Sequence, residues 1–210
     1  MSTRAAAAPD RRWDYGIVLG LVTPERMASY LGASQGDVER AFARYEWNIE
    51  ASAGVMGLSS VVEVVVRNAI DRELTTWARR AHGPHAEWFD HAPLDLKGRR
   101  DGKVVAELSF GFWRYLLESR YHTALWVPAL HRAFPDGARD LRQRRAHVAH
   151  QMQQLQFVRN RAAHHEPIHC RDLGKDLLAA ETLLQHVSAD AVAWMTAVCP
   201  VREIIGRRPR

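Results

Sequence analysis

Apolar residues recur every three or four positions along most of this chain, and that spacing predicts helices nearly throughout. Val38, Phe42, Tyr45, Ile49 and Val55 or Met56 keep the period through a segment that opens on Ser34 and Asp37. Those two form a capping box in which Asp replaces the preferred Glu. The next stretch, "SSVVEVVVRNAIDRELTTWARR" (59–80), is valine-rich enough to suggest a strand. Its length and the continuing Ala69, Ile70, Leu74, Trp77 spacing favour a helix. Thr23 before Pro24 starts a shorter helix upstream. Helices are expected again over 104–120, over 123–134 with Pro128 in the first turn, from Arg139 to His165, and from Leu173 to Val198. Residues 82–103 carry Gly, Pro and Asp breakers and read as a long irregular connection, a length that often serves function. The tail "GRRPR" (206–210) is expected to be mobile, as is the N-terminus. Nothing reads as a linker between two cores. The expectation is a single all-α domain over residues 1–210, with its core at about 20–198.

Composition narrows the class without choosing a function. The chain is 47% hydrophobic and 25% charged, as in ordinary globular proteins. No unbroken apolar run approaches the roughly 18 residues of a membrane span, and the N-terminal Ala run is no signal-peptide core. Cys170 and Cys199 are too few for a disulfide framework. A cytoplasmic protein with no membrane partner is the expectation. Net charge is +5 and the pI about 9.6, which favours polyanionic partners.

The chemistry concentrates in "LQFVRNRAAHHEPI" (155–168). At about 100° per residue, Val148, Met152, Leu155 and Ala162 form one stripe, and Arg159 falls inside it. A guanidinium there keeps its proton and must find an anion, acceptors or water. Asn160 and His164, four apart, share a neighbouring face. Pro167 disfavours helix at Glu166, so the helix ends near His165. His164 then lies at the negative end of the dipole, which favours imidazolium. An arginine and a readily protonated histidine at one rim suit phosphate recognition with proton transfer beside it.

The stretch "RNRAAHH" matches the motif of HEPN domains, Arg followed after four to six residues by His, with Asn directly after Arg. "YEWN" (45–48), "VEVVVRNAID" (62–71), "LSFGFWRYLL" (108–117), "LWVPALHRAFP" (125–135) and "LRQRR…QFVRNRAAHHEPI" (141–168) resemble, in order, the Abi-like (abortive-infection) branch of that superfamily. The resemblance spans about residues 20 to 190. It implies a helical bundle that pairs with a second copy about a two-fold axis and joins two Arg–His motifs. It also implies a metal-independent endoribonuclease, toxin or phage-defence effector, with RNA as substrate and a cognate antitoxin as the partner that restrains it. Arg159 and His164 take the paired catalytic positions and Asn160 the polar position between them. A non-catalytic RNA-binding module and a structural dimerisation module of a defence system are the alternatives.

Other residues carry weaker expectations. Glu63 and Arg67 are four apart on a helix, either as an ion pair or, with Asn68, as a support that orients the motif. His165 and Glu166 are expected to fix the helix end or the dimer rim. Lys97, Arg99, Arg100 and Lys103 in the long connection, and Arg142, Arg144 and Arg145 up the motif helix, are candidates to grip an RNA backbone. Phe110, Phe112 and Trp113 look like a base-stacking set but have core spacing, as do Trp47, Trp126 and Trp194. His164, His165, His169 and Cys170 match no usual zinc spacing, so neither metal nor cofactor is expected.

Overall fold

A computed structural model of the chain describes residues 13–93 and 108–209. Among them every regular element is helical, in line with the all-α reading. The helices are α1 (Tyr15–Val22), α2 (Pro24–Ala33), α3 (Val38–His82), α4 (Trp88–His91), α5 (Phe110–Tyr115), α6 (Leu141–Ala163), α7 (Leu173–Val187), α8 (Ala189–Val198) and α9 (Val201–Gly206). Thr23 caps α2 as the Thr-Pro pair predicts, its hydroxyl accepting from Arg26 N at 3.4 Å.

The organising element is α3. Its 45 residues join into one helix the two segments that the valine run separates, and at 1.5 Å per residue it is about 68 Å long. Asp37, not Ser34, caps it: the carboxylate accepts from Arg40 N at 3.0 Å, while Ser34 ends α2. The far end carries Arg79, Arg80 and His82 in the last turn, where the dipole favours cations. Early α3 residues Trp47, Ala51 and Val55 cluster with late α6 residues Val158 and Ala162. Later ones, Val62 and Val66, share a core with Val148, Met152 and Leu155. The two helices therefore run antiparallel, and α7 packs against both. A third small core joins Met27 and Tyr30 of α2 to Ala41 and Phe42 of α3. An apolar window of α3 has mean hydropathy 1.6 and passes the length and composition of a membrane span. An unbroken-run criterion misses it because Ser, Gly and Glu63 interrupt the run, while the surrounding valines keep the mean hydropathy high. Only 39% of that window is buried inside the protein.

Several expected helices are shorter or broken. Over 123–134, Pro128 has no N–H and crowds the preceding turn. The chain instead winds a π turn at His122–Trp126, with Val127 N to His122 O at 2.9 Å, then a 3-10 turn at Leu130–Ala133. Among the described residues of the segment expected to be helical over 104–120, α-helix covers Phe110–Tyr115; residues 104–107 lie outside the described ones. The last long helix breaks at Ser188, which is extended (φ −171°) and caps α8 by accepting from Asp190 N at 3.1 Å. Trp194 in α8 is 50% exposed, against its expected core role, because α8 buries only Met195. Trp47, Trp113, Trp126 and Phe110 are buried as their spacing predicts, and Phe112 is partly so.

The C-terminal tail, expected to be mobile, contacts the body of the protein as far as Pro209. Arg208 donates to the His169 carbonyl and stacks over Trp47 at 5.5 Å. Arg44 donates to Pro209 O at 3.2 Å, and Arg207 pairs with Glu50 at 3.4 Å. The expectation drawn from its position at the chain end misses that Arg207 and Arg208 have carboxylate and carbonyl partners on α3 and on the loop after α6.

Candidate functional site

The site is built on the C-terminal end of α6. Asp140 starts this helix by accepting from Gln143 N at 2.7 Å, and Val148, Met152, Leu155, Val158 and Ala162 bury its inner face. The helix ends at Ala163 with His164 as its cap, two residues short of the end that Glu166-Pro167 predicts. His165 N bonds Ala162 O at 3.1 Å and Glu166 N bonds Arg161 O at 2.8 Å, the paired closure of a Schellman motif. That motif needs a left-handed residue, usually Gly, and here His165 fills it at φ 56°. A side chain in that conformation costs about 1 kcal/mol, so neighbouring contacts must hold it.

Four side chains, those of Arg26, Arg161, Asn48 and His169, do so. Arg26 of α2 donates to the His165 carbonyl. Arg161 donates to Pro167 O at 2.8 Å and pairs with Glu166 at 3.6 Å. Asn48 of α3, 4% exposed, accepts from Ile168 N at 2.8 Å. Buried His169 stacks on Tyr30 at 4.3 Å, with its Nε2 3.2 Å from Ser29 Oγ. Burial, reinforced by Arg44 and Arg208, pushes the His169 imidazole below its ordinary range, which keeps it neutral. The rim that follows the motif is thus fixed from α2, α3 and the tail.

On this rigid end, Arg159 is half-buried in the stripe where its spacing places it. Its Nη1 donates to Asn160 Oδ1 at 3.3 Å. Among the described residues no carboxylate lies within ion-pair distance of it, whereas its cationic neighbours are matched. Arg161 has Glu166, and Arg171 makes a bidentate pair with buried Asp176 at 2.5 and 2.6 Å. Asn160 and His164 are exposed, one turn apart, and His164 N donates to Asn160 O at 3.0 Å. The motif therefore presents an uncompensated guanidinium, an amide and an imidazole on one helix end.

The remaining candidates are distributed differently. His165 and Glu166 shape the helix end, as above. Arg67 Nε donates to Asn68 Oδ1 at 3.4 Å, and no Glu63–Arg67 ion pair forms among the described residues. Val55, which packs with Val158, is two turns before Glu63, about 12 Å along the axis. No hydrogen bond or ion pair joins Glu63, Arg67 or Asn68 to the motif among the described residues. Arg144 donates to Ala138 O at 2.7 Å and to His131 O at 3.2 Å, and Arg145 to Leu117 O at 2.7 Å. Both guanidiniums are occupied by backbone, leaving Arg142 of that trio exposed. Lys97, Arg99, Arg100 and Lys103 lie outside the described residues. No group of three or more His, Cys, Asp or Glu side chains converges as a metal site among the described residues.

A groove of about 730 Å³ opens beside the helix end. Ile49, Ala53 and Met56 of α3 and Ala162 and Ala163 of α6 form its apolar wall, with Arg26, Asn48 and His165 at a polar end. Arg26 and Asn48 escape a reading confined to the motif, because their partners are backbone atoms more than a hundred residues away. Comparison of the chain with family models, with curated proteins and with solved structures finds no match.

Proposed function

We propose that the chain is a metal-independent endoribonuclease of the HEPN type, acting as a pair of copies in the cytoplasm as a toxin or phage-defence effector. One observation carries the reading: Arg159 is held half-buried with no carboxylate partner among the described residues, beside Asn160 and one turn from His164. A cation so placed favours a phosphate over water, because its surroundings screen it less. His164 would take the proton from a ribose 2′-OH, whose oxygen attacks the adjacent phosphorus. The 5′-oxygen leaves and is protonated by His164 of the partner subunit. Arg159 stabilises the charge growing on the non-bridging oxygens, and Asn160 holds the guanidinium in place. The products are a 2′,3′-cyclic phosphate and a 5′-hydroxyl. Cleavage of total RNA by the full chain is expected to survive EDTA and to stop when the cut-site ribose is 2′-deoxy. Mapping RNA ends in both conditions checks this, and 3′-hydroxyl products would overturn it. A toxin of this kind needs restraint, for which a cognate antitoxin is the natural partner.

Self-pairing draws support from the uncovered side of α3. Ala53, Gly57 and Ser60 form an exposed strip of small residues between Ile49 and Val64, which are 54% and 37% exposed. Small side chains let two helices approach closely, and the strip borders the groove at the motif. A Cβ at Gly57 would meet nothing within 4 Å, so a larger residue fits the single copy. Gly57→Phe is therefore expected to keep the helical spectrum and melting temperature of the monomer while sedimenting as one copy instead of two. Dimers of unchanged affinity would remove this face as the interface.

A further inference from the structure

Phe157 is 51% exposed on α6, on the polar side of the helix. It stands three residues before Asn160 and seven before His164, so the three share a face within about 60° of one another. Two guanidiniums flank its ring: Arg171 Cζ lies 5.0 Å and Arg161 Cζ 5.8 Å from the centroid. Neither arginine is loose. Arg171 is gripped by Asp176, itself bonded by Gln154 Nε2 at 3.0 Å, and Arg161 by Glu166 and Pro167 O. The result is a pre-ordered aromatic platform whose two cations are already neutralised by carboxylates. Its attraction is for a flat, polarisable surface more than for a phosphate.

From this geometry we infer that Phe157 is a base-stacking residue for single-stranded RNA, receiving a nucleobase on the helix face that carries Asn160 and His164; the inference rests on the nuclease reading above. Phe157 and His164 are two turns apart, about 10 Å along the axis, a distance that a short run of extended strand covers. Aromatic faces bind bases with little regard for sequence, and purines, with the larger π surface, stack more strongly than pyrimidines. Phe157 thus positions substrate, while Arg159 and His164 carry the chemistry. Arg161 and Arg171 hold the ring and extend the stacking surface.

The test uses the full chain carrying His164→Ala, which leaves RNA uncut, and three probes of equal length: oligoadenylate, oligouridylate and an abasic ribose–phosphate chain. The parent is expected to bind them in that order of falling affinity. Adding Phe157→Ala should weaken oligoadenylate binding about tenfold, the equivalent of one lost base stack, and leave the abasic chain unaffected. Phe157→Trp should restore the order. The salt dependence of binding should be the same in parent and variant, because the phosphate contacts remain. Equal oligoadenylate binding with and without Phe157 overturns the inference and leaves the nuclease reading standing. So does an equal loss for all three probes, or a shift of the Phe157→Ala chain from dimer to monomer on sedimentation, which would place the ring in a contact between copies. A parent that binds no RNA overturns both.

Discussion

Arg159→Ala is expected to lower RNA cleavage by about 10²–10³-fold, the loss typical when a group that stabilises transition-state charge is removed. His164→Ala should cost about 10²–10⁴-fold through the lost proton transfer. The double variant should be little worse than the poorer single one, because the two groups act on one transition state. Folding controls give this prediction its force. His164 is exposed, and Arg159 is a half-buried cation whose partner among the described residues is the neutral Asn160, so neither truncation strands a buried charge there. Circular dichroism and melting temperature should stay within about 2 °C of the parent, and Arg159→Ala has room to raise the latter by relieving charge in the apolar stripe. Arg159→Lys should recover little activity, since an ammonium lacks the planar fork that grips two phosphate oxygens. Full cleavage by Arg159→Ala and His164→Ala in freshly purified protein would end the catalytic assignment.

The largest loss of stability is expected at Arg171. Asp176 is 2% exposed and its two oxygens are held by the Arg171 guanidinium at 2.5 and 2.6 Å, with Gln154 adding a third bond. Arg171→Ala strands that carboxylate in the core, which costs about 3–5 kcal/mol when a buried pair loses one member. For a chain of this size the melting temperature should fall by about 10 °C. Most of the cost is an uncompensated charge rather than a lost attraction. Replacing both partners by apolar residues, Arg171→Met with Asp176→Leu, should therefore recover much of the stability. Thermal denaturation of the three variants reads the cycle directly. A single variant that melts with the parent would mean that water reaches Asp176 in solution.

How much of this molecule is legible in its sequence depends on how local the governing interactions are. The extent of α6 and its end near His165 follow from the period of Val148 to Ala162 and from Glu166-Pro167, all within the segment itself. The burial of Trp113 and Trp126 follows from spacing in the same way. The break at Ser188 has a local signal too, Ser-Ala-Asp, but the flanking apolar period on both sides hides it. The π turn before Pro128 and the cap at Asp37 are choices between two nearby options that the period does not separate. Long-range bonds leave no periodic trace. Asn48 to Ile168, Arg26 to His165 and Arg208 to His169 decide the shape of the rim, and each joins residues whose own neighbours look like ordinary surface. Phe157 did have a signal: an aromatic on the polar face in register with Asn160 and His164. Arg171, which flanks its ring, comes from beyond the proline, so no helical repeat within α6 predicts that contact.

The continuity of α3 bears on how the protein comes apart. Phe42 belongs to the small core at one end, Trp47 and Val55 to the next, and Leu58 through Ala78 to the largest, all on one uninterrupted rod. No cut through that rod leaves a fragment with its apolar face fully covered, so the three cores lack independent foldable units. Heat and denaturant should therefore meet a single cooperative transition, with the rim around the Arg159–His164 motif lost in the same step as the interior instead of fraying ahead of it.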